Sequence, residues 1–225
     1  MNAREKRKQI KQQLVQPMLE EYAVEFLTNE GFTWYKRSLK FKRKMQECQQ
    51  EVEFYVIYPR YKNDPSIARV EMQFSIDFPE ISIIQNQIHC QIEKQLNRPI
   101  PPVHKTIKSQ IGGVFPDRPY IVWRIYNEKD ISSIGEKIKA IVIEHLIPTL
   151  NSYQFIKDIS NAYMSDIYIP DTFNDKEKRY LMRIAVFLVL GQNETAKEIA
   201  KEYLDKHRGE KEQLIIALKS FNVID

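Results

Sequence analysis

The chain has 225 residues, of which 43% are hydrophobic, 11% aromatic and 28% charged, and its net charge is +4. This composition is typical of a folded globular protein and excludes a disordered chain, which needs fewer apolar residues and a more one-sided charge. It also excludes an acidic mimic of DNA, and the longest apolar run, at 184–190, is too short to span a membrane.

Two further features indicate the compartment. The sequence begins Met-Asn-Ala-Arg-Glu-Lys-Arg-Lys, and no apolar stretch of the signal-peptide type follows. Its two cysteines, Cys48 and Cys90, have no partner at metal-ligand or redox spacing, so neither a disulfide framework nor a zinc site is predicted. We therefore expect a cytoplasmic protein.

The N-terminal segment is predicted to be an amphipathic helix. Apolar residues recur every four positions from Ile10 to Phe26, which gives one broad apolar stripe suited to packing on a sheet. Pro17 interrupts the stripe, so it should either kink the helix or mark its true start after a loose basic arm. Gly31 follows the last periodic residue and is placed to end the helix.

Strands are expected next, because apolar and polar residues alternate with a period of two. The predicted strands cover 32–35, 39–45, 52–58, 68–78 and 120–126. Short connections between successive strands favour antiparallel pairing. Between the last two strands, Pro79 begins a predicted helix that runs to Leu96, and 97–119 is expected to be a loop.

Everything after Asp130 is predicted to be helical. Asp130 or Ser132 caps a helix that Pro148 ends, and a second helix covers 152–164. Two more helices flank Gly191, and a short one covers 210–220. The predicted fold class is therefore α+β, with an N-terminal helix on a four- to five-stranded, mainly antiparallel sheet and a C-terminal helical bundle. We expect residues 1–128 to form the helix-and-sheet region and 129–225 to form a helical region packed on it as one compact unit.

Three segments carry a resemblance to a known family. Residues 27–37 read Leu-Thr-Asn-Glu-Gly-Phe-Thr-Trp-Tyr-Lys-Arg, residues 121–125 read Ile-Val-Trp-Arg-Ile, and residues 144–152 read Glu-His-Leu-Ile-Pro-Thr-Leu-Asn-Ser. On these segments the chain resembles the bacterial family catalogued as domain of unknown function 4304. That family carries no established activity, so the resemblance implies no catalytic residue. Related small bacterial families often lie beside toxins as immunity proteins, and this context suggests the same role here.

The most concentrated charge of the chain lies in the predicted hairpin at 36–44. Its cations are Lys36, Arg37, Lys40, Lys42, Arg43 and Lys44. One interpretation is a ribbon that binds phosphates, with neighbouring aromatic residues such as Trp34 stacking on bases. The other is a solvated strand face, on which the lysines lie opposite Glu51 and Glu53 of the next strand.

A second basic cluster lies at the N-terminus and contains Arg4, Lys6, Arg7, Lys8 and Lys11. It could dock on nucleic acid or on an acidic partner, or it could be a solvated helix end. If the two clusters formed one basic face, the nucleic-acid interpretation would gain support. The sequence leaves that question open, as it leaves open the oligomeric state.

No catalytic constellation is found in the sequence. It has no Glu-x-Lys for a two-metal nuclease, no phosphate-binding P-loop, no nucleophile elbow and no pair of histidines at helical spacing. We therefore predict no catalytic residue, no cofactor and no metal. The leading hypothesis is a non-catalytic protein-binding module, an immunity-type protein that neutralises a bacterial toxin by occlusion.

Two alternatives remain: a defence-related nucleic-acid-associated protein that uses the hairpin 36–44, and an unrecognised hydrolase. No membrane partner is expected. Exposed aromatic residues are suited to anchoring an interface. The candidate partner-binding residues are Trp34, Lys36, Arg37, Lys40, Lys42, Tyr61, His104 and Tyr120.

Overall fold

The computed structural model describes residues 2–59, 63–97, 105–165, 167, 169–170, 176–206, 215, 218–220 and 222–223. It confirms the α+β class, with an N-terminal helix, a mainly antiparallel sheet and C-terminal helices. Among the described helices, none is both long enough and apolar enough to cross a lipid bilayer.

The chain divides into two compact units. The first contains Met1–Met45, Gln49–Ser75 and Lys108–Ser152. The second contains Gln46–Cys48, Ile76–Ile107 and Tyr153–Asp225. Each unit therefore combines segments that are distant in the sequence, and the strand at 68–77 passes from the first unit into the second.

Six strands of the sheet lie within the described residues. They are β1 (Thr33–Tyr35), β2 (Lys40–Lys44), β3 (Gln49–Ile57), β4 (Ala68–Asp77), β5 (Ile107–Gln110) and β6 (Trp123–Ile125). Strands β1 to β5 follow one another in sequence order across the sheet, and β6 pairs antiparallel with the start of β4. The prediction of a loop over 97–119 is wrong at β5. The alternation of apolar and polar residues is too weak there to indicate a strand, because only Ile107 of the four residues is apolar. Residues 98–104 of that loop lie outside the described residues.

The first helix, α1, spans residues 3–29 and contains two five-residue π-helical segments, Lys11–Val15 and Glu20–Val24. The expectation of a loose arm before Pro17 is wrong, because the helix begins at Ala3 with a capping box between Asn2 and Glu5. The N–H of Gln16 donates to the carbonyl of Lys11, five residues back. This wider turn gives the ring of Pro17 room beside the preceding carbonyls, so the helix continues through the proline.

The same arrangement recurs around Pro148 in the next long helix of this unit, α3, which spans residues 130–151. Its π-helical segment is Val142–Leu146, and the N–H of Ile147 donates to the carbonyl of Val142. The predicted end of the helix at Pro148 is therefore wrong. Gly31 does follow the end of α1 as predicted, with a φ of +84°.

A buried arginine ties this unit together. The guanidinium of Arg43 on β2 donates to Gln50 Oε1, at 2.5 Å and 3.1 Å from its two nitrogens, and to the carbonyl of Glu30 at 2.8 Å. It also donates to Asn151 Oδ1 at the end of α3, again at 2.8 Å. Gln50 in turn donates to the carbonyl of Leu150. Arg43 therefore has a structural position, and it is not part of an exposed basic strand.

The second unit is built from helices. They are α2 (Pro79–Leu96), α4 (Ile156–Met164), α5 (Lys176–Val189) and α6 (Asn193–Lys206). Large and small apolar residues meet in its core, which contains Ile88, Ile92, Leu181, Ile184, Phe187, Ala196, Ile199, Ala200, Leu218 and Val223. The predicted helices from Pro79 and on either side of Gly191 are confirmed. Of the predicted helix at 210–220, only 215 and 218–220 are described, and they are helical.

Candidate functional site

Residues alternate between the two faces of the sheet, and one face is the core. Its side chains include Phe41, Val52, Phe54, Val70 and Met72, all of them buried. The opposite face, which we call the open face, carries half-buried and exposed polar and aromatic side chains. They include Tyr35, Lys40, Lys42, Lys44, Glu51, Glu53, Tyr55, Arg69, Glu71 and Arg124.

The lysines of the hairpin are paired with glutamates on the open face. Lys40 lies opposite Glu53, and Lys42 lies opposite Glu51, which confirms the predicted cross-strand arrangement. The Lys40 ammonium is 2.9 Å from Glu53 and 3.2 Å from Glu51, and Lys42 is 3.1 Å from Glu51. The hydrogen bond to Glu53, and next the one to Glu51, raises the pKa of Lys40 above its usual value. Much of the positive charge of the hairpin is therefore neutralised within the chain.

Tyr55 extends this cluster along β3. Its hydroxyl donates to Glu53 Oε2 at 2.5 Å. Burial, and then the neighbouring Glu53 carboxylate, raises the pKa of Tyr55 to about 12. The phenol is therefore a neutral hydrogen-bond donor at physiological pH, held in place on the sheet surface.

A second cluster lies on β4 and β6. Arg69 and Arg124 are directly opposite each other across the two strands. Arg69 forms an ion pair with Asp64, which also accepts hydrogen bonds from the hydroxyl and the N–H of Ser66 at 2.7 Å and 3.1 Å. The Ser66 hydrogen bonds, with the help of Arg69, lower the pKa of Asp64 to about 2. The Arg124 side chain is exposed beside this pair.

Tyr120 reaches over the same cluster. Its hydroxyl donates to Glu71 of β4, and this hydrogen bond, followed by burial, raises the pKa of Tyr120. The residue is nevertheless 70% exposed, so the ring presents a large apolar surface to solvent. Exposed tyrosine rings are among the residues that protein interfaces favour.

The other predicted site residues are dispersed. Trp34 lies on the core face of β1, stacked on Phe41 with ring centroids 4.3 Å apart. Lys36 forms an ion pair with Glu20 of α1 at 2.8 Å, and Arg37 is exposed in the turn between β1 and β2. Tyr61 and His104 lie outside the described residues. Lys40, Lys42 and Tyr120 are thus the predicted residues that belong to the open face.

The sequence reasoning missed Tyr55, Arg69, Glu71 and Arg124. The alternation in the sequence could have identified them. The strands were predicted from their apolar positions, and these four residues occupy the polar positions between or beside those. Tyr55 and Glu71 each lie between two apolar residues of the strand, so the period of two assigns them to the face opposite the core.

No candidate metal centre is found in the part of the chain that the structure describes: no group of three or more His, Cys, Asp or Glu side chains could hold an ion there. His89 is buried in α2, and the ring of His145 packs on Phe115 at 4.5 Å. Neither Cys48 nor Cys90 forms a disulfide.

Comparison with family models, with curated proteins and with solved structures found no match to this chain. The resemblance to domain of unknown function 4304 therefore stays a prediction.

Proposed function

We propose that this protein is a non-catalytic protein-binding module of the immunity type, which neutralises a bacterial toxin by covering part of its surface. The observation that supports this most is the composition of the open face. Arginines, tyrosines and carboxylates alternate there on a sheet whose other face is the core, and Tyr120 is mostly exposed. Tyrosine and arginine are the residues most enriched among the energetic centres of protein interfaces.

The mixed charge of the open face favours a protein partner over a nucleic acid. On β2, β3, β4 and β6 the open face carries five cations and three carboxylates, and the carboxylates of Glu51 and Glu53 are already paired with Lys40 and Lys42. A phosphate backbone would meet these carboxylates at close range, whereas a protein surface can offer both signs of charge.

Several side chains of the open face are fixed before any partner arrives. The Tyr120 hydroxyl is held by Glu71, the Tyr55 hydroxyl by Glu53, and the Arg69 guanidinium by Asp64. Ordering rotamer-rich side chains costs about 0.5–1.5 kcal/mol each on association, so a surface that is already ordered binds more tightly. We place this binding in the cytoplasm, since both described cysteines are free thiols.

The test compares three forms of the tagged full chain in lysate from the cells that produce it. The wild type, Arg124→Glu on the open face and Lys157→Glu on α4 are used as baits, and the last two carry the same change in charge. We expect one protein at equimolar ratio with the wild type and with Lys157→Glu. Arg124→Glu should weaken the retention of this protein by about tenfold or more, because it puts a negative charge where the interface has a positive one.

Two results would contradict the proposal. One is equal retention by all three forms, which would place the interface elsewhere. The other is the absence of any protein at equimolar ratio with the wild type in lysate that has been treated with nuclease.

A further inference from the structure

The two basic clusters of the chain meet in the first unit. The ammonium of Lys11 on α1 donates to the carbonyl of Arg37 at 3.0 Å, which places the N-terminal half of α1 against the turn between β1 and β2. On the helix, cations at spacings of three and four residues share one side. We call this surface the basic patch; its members are Arg4, Arg7, Lys8, Lys11, Lys36 and Arg37.

A second contact fixes the start of the helix on the sheet. The hydroxyl of Tyr58, just beyond β3, donates to the carbonyl of Arg7 at 2.6 Å, and the guanidinium of Arg7 lies 5.4 Å from the centre of the Tyr58 ring. The helix is also capped by Asn2 and Glu5. The basic patch is therefore an ordered surface, and the N-terminal segment is not a frayed end.

The charge of the basic patch is of a single sign. Among the described residues, Lys36 is the one member of the patch in an ion pair, with Glu20. Arg4 lies in the first turn of the helix, where a cation opposes the helix dipole. The open face differs from the basic patch, because several of its cations are paired with carboxylates and because it carries exposed aromatic rings.

From this geometry we propose that the basic patch binds the phosphate backbone of a nucleic acid. A row of cations along a helix, continued by cations on an adjoining turn, fits a line of phosphates and reads no base edges, so binding is independent of sequence. An acidic protein segment is the less favoured ligand, because the members of the patch are exposed or half-buried cations and none of them is a buried anchor. The inference goes beyond the proposed function, since it concerns different residues and a different ligand.

The test measures the fluorescence anisotropy of a labelled 20-base-pair DNA duplex and a labelled 20-nucleotide RNA strand, at 50 and 200 mM NaCl. Lys8→Glu/Arg37→Glu reverses two exposed members of the basic patch, and Lys157→Glu/Lys201→Glu on α4 and α6 is the control. Both double variants lower the net charge from +4 to 0, so bulk charge is matched.

We expect the wild type to bind at least one probe and to lose about 100-fold or more in affinity between the two salt concentrations. At 50 mM NaCl the affinity of the patch variant should be lower than that of the wild type by about tenfold or more. The slope of log affinity against log salt concentration should be smaller in magnitude by about two. The control should stay within about twofold of the wild type. Lys8→Gln/Arg37→Gln repeats the test without new charges, in case the reversal perturbs folding.

Three results would overturn the proposal. They are no binding by the wild type at 50 mM NaCl, equal losses in the patch and control variants, and binding of poly-glutamate as tight as that of either nucleic acid. Comparison of the affinities for the DNA probe and the RNA probe shows which of the two nucleic acids the basic patch prefers. None of these results depends on the open face, so this inference and the proposed function can fail separately.

Discussion

Gly135 lies so close to Tyr22 that a Cβ atom on Gly135 would come within 2.2 Å of the Cδ2 atom of the tyrosine ring. Tyr22 is in the second π-helical segment of α1, and its hydroxyl is 3.1 Å from the Ser132 hydroxyl, on the same side of α3 as Gly135. In the two long helices of the first unit, the Tyr22 ring therefore packs directly against the backbone at Gly135, and a larger residue there would require a shift.

The first prediction concerns this contact. Gly135→Ala should lower the free energy of unfolding by about 1–3 kcal/mol, because the added methyl group overlaps the Tyr22 ring. In a Tyr22→Ala background the ring is gone, so the same substitution should be neutral or slightly stabilising, as alanine is the better helix former. Urea unfolding of the four proteins checks this. Additive effects of the two substitutions would show that Gly135 does not act through Tyr22.

The second prediction concerns the buried guanidinium of Arg43. Arg43→Met should cost at least about 2 kcal/mol in the free energy of unfolding, because it removes the buried guanidinium that donates to Gln50, Asn151 and the Glu30 carbonyl. The matched control is Lys42→Met on the same strand, where the ion pair with Glu51 is half-exposed and worth about 1 kcal/mol or less. If Arg43→Met lowered the free energy of unfolding no more than Lys42→Met does, Arg43 would not have the structural role described above.

The third prediction is a dependence on pH that comes from Asp64. Its pKa of about 2 in the folded chain lies below the value of about 4 for an unfolded aspartate. The folded form therefore binds the proton less readily, so the stabilisation by Asp64 is complete above pH 4 and is lost as the pH falls towards 2. Over this window the wild type should lose more stability than Asp64→Asn.

Carbon-13 NMR of the Asp64 carboxyl group measures this pKa directly. We expect a midpoint near 2 in the wild type and a rise towards the ordinary value in Ser66→Ala, since the Ser66 hydroxyl donates to the carboxylate at 2.7 Å. A wild-type midpoint near 4 would show that the carboxylate is not held by these hydrogen bonds.

The parts of the fold that could be predicted are those with a repeated apolar pattern. In β3 and β4 the alternating apolar residues form one buried face, and in α2 the spacing of Ile81, Ile88 and Ile92 does the same. The pattern therefore shows which segment is a strand and which is a helix. The pairing of Lys40 with Glu53 was also predictable, because the short connection between β2 and β3 leaves few possible registers.

The parts that could not be predicted depend on long-range packing. Pro17 and Pro148 are signals that end most helices, yet each follows a π-helical turn that depends on what the helix packs against. Arg43 reads as one cation of a basic run, and only its contacts with Glu30 and Asn151 show that it is buried. The junction of Lys11 with Arg37 joins residues 26 positions apart and has no local signal at all.

The central claim is that a protein partner binds the open face, and photo-crosslinking tests it most directly. A photoreactive phenylalanine analogue replaces Tyr120 on the open face, which is 70% exposed, or Phe155 of the second unit, which is 42% exposed, in cells that produce the protein. We predict that the analogue at position 120 crosslinks to one protein and that the analogue at position 155 does not crosslink to it. Crosslinking of that protein from position 155 alone, or from neither position, would contradict the account.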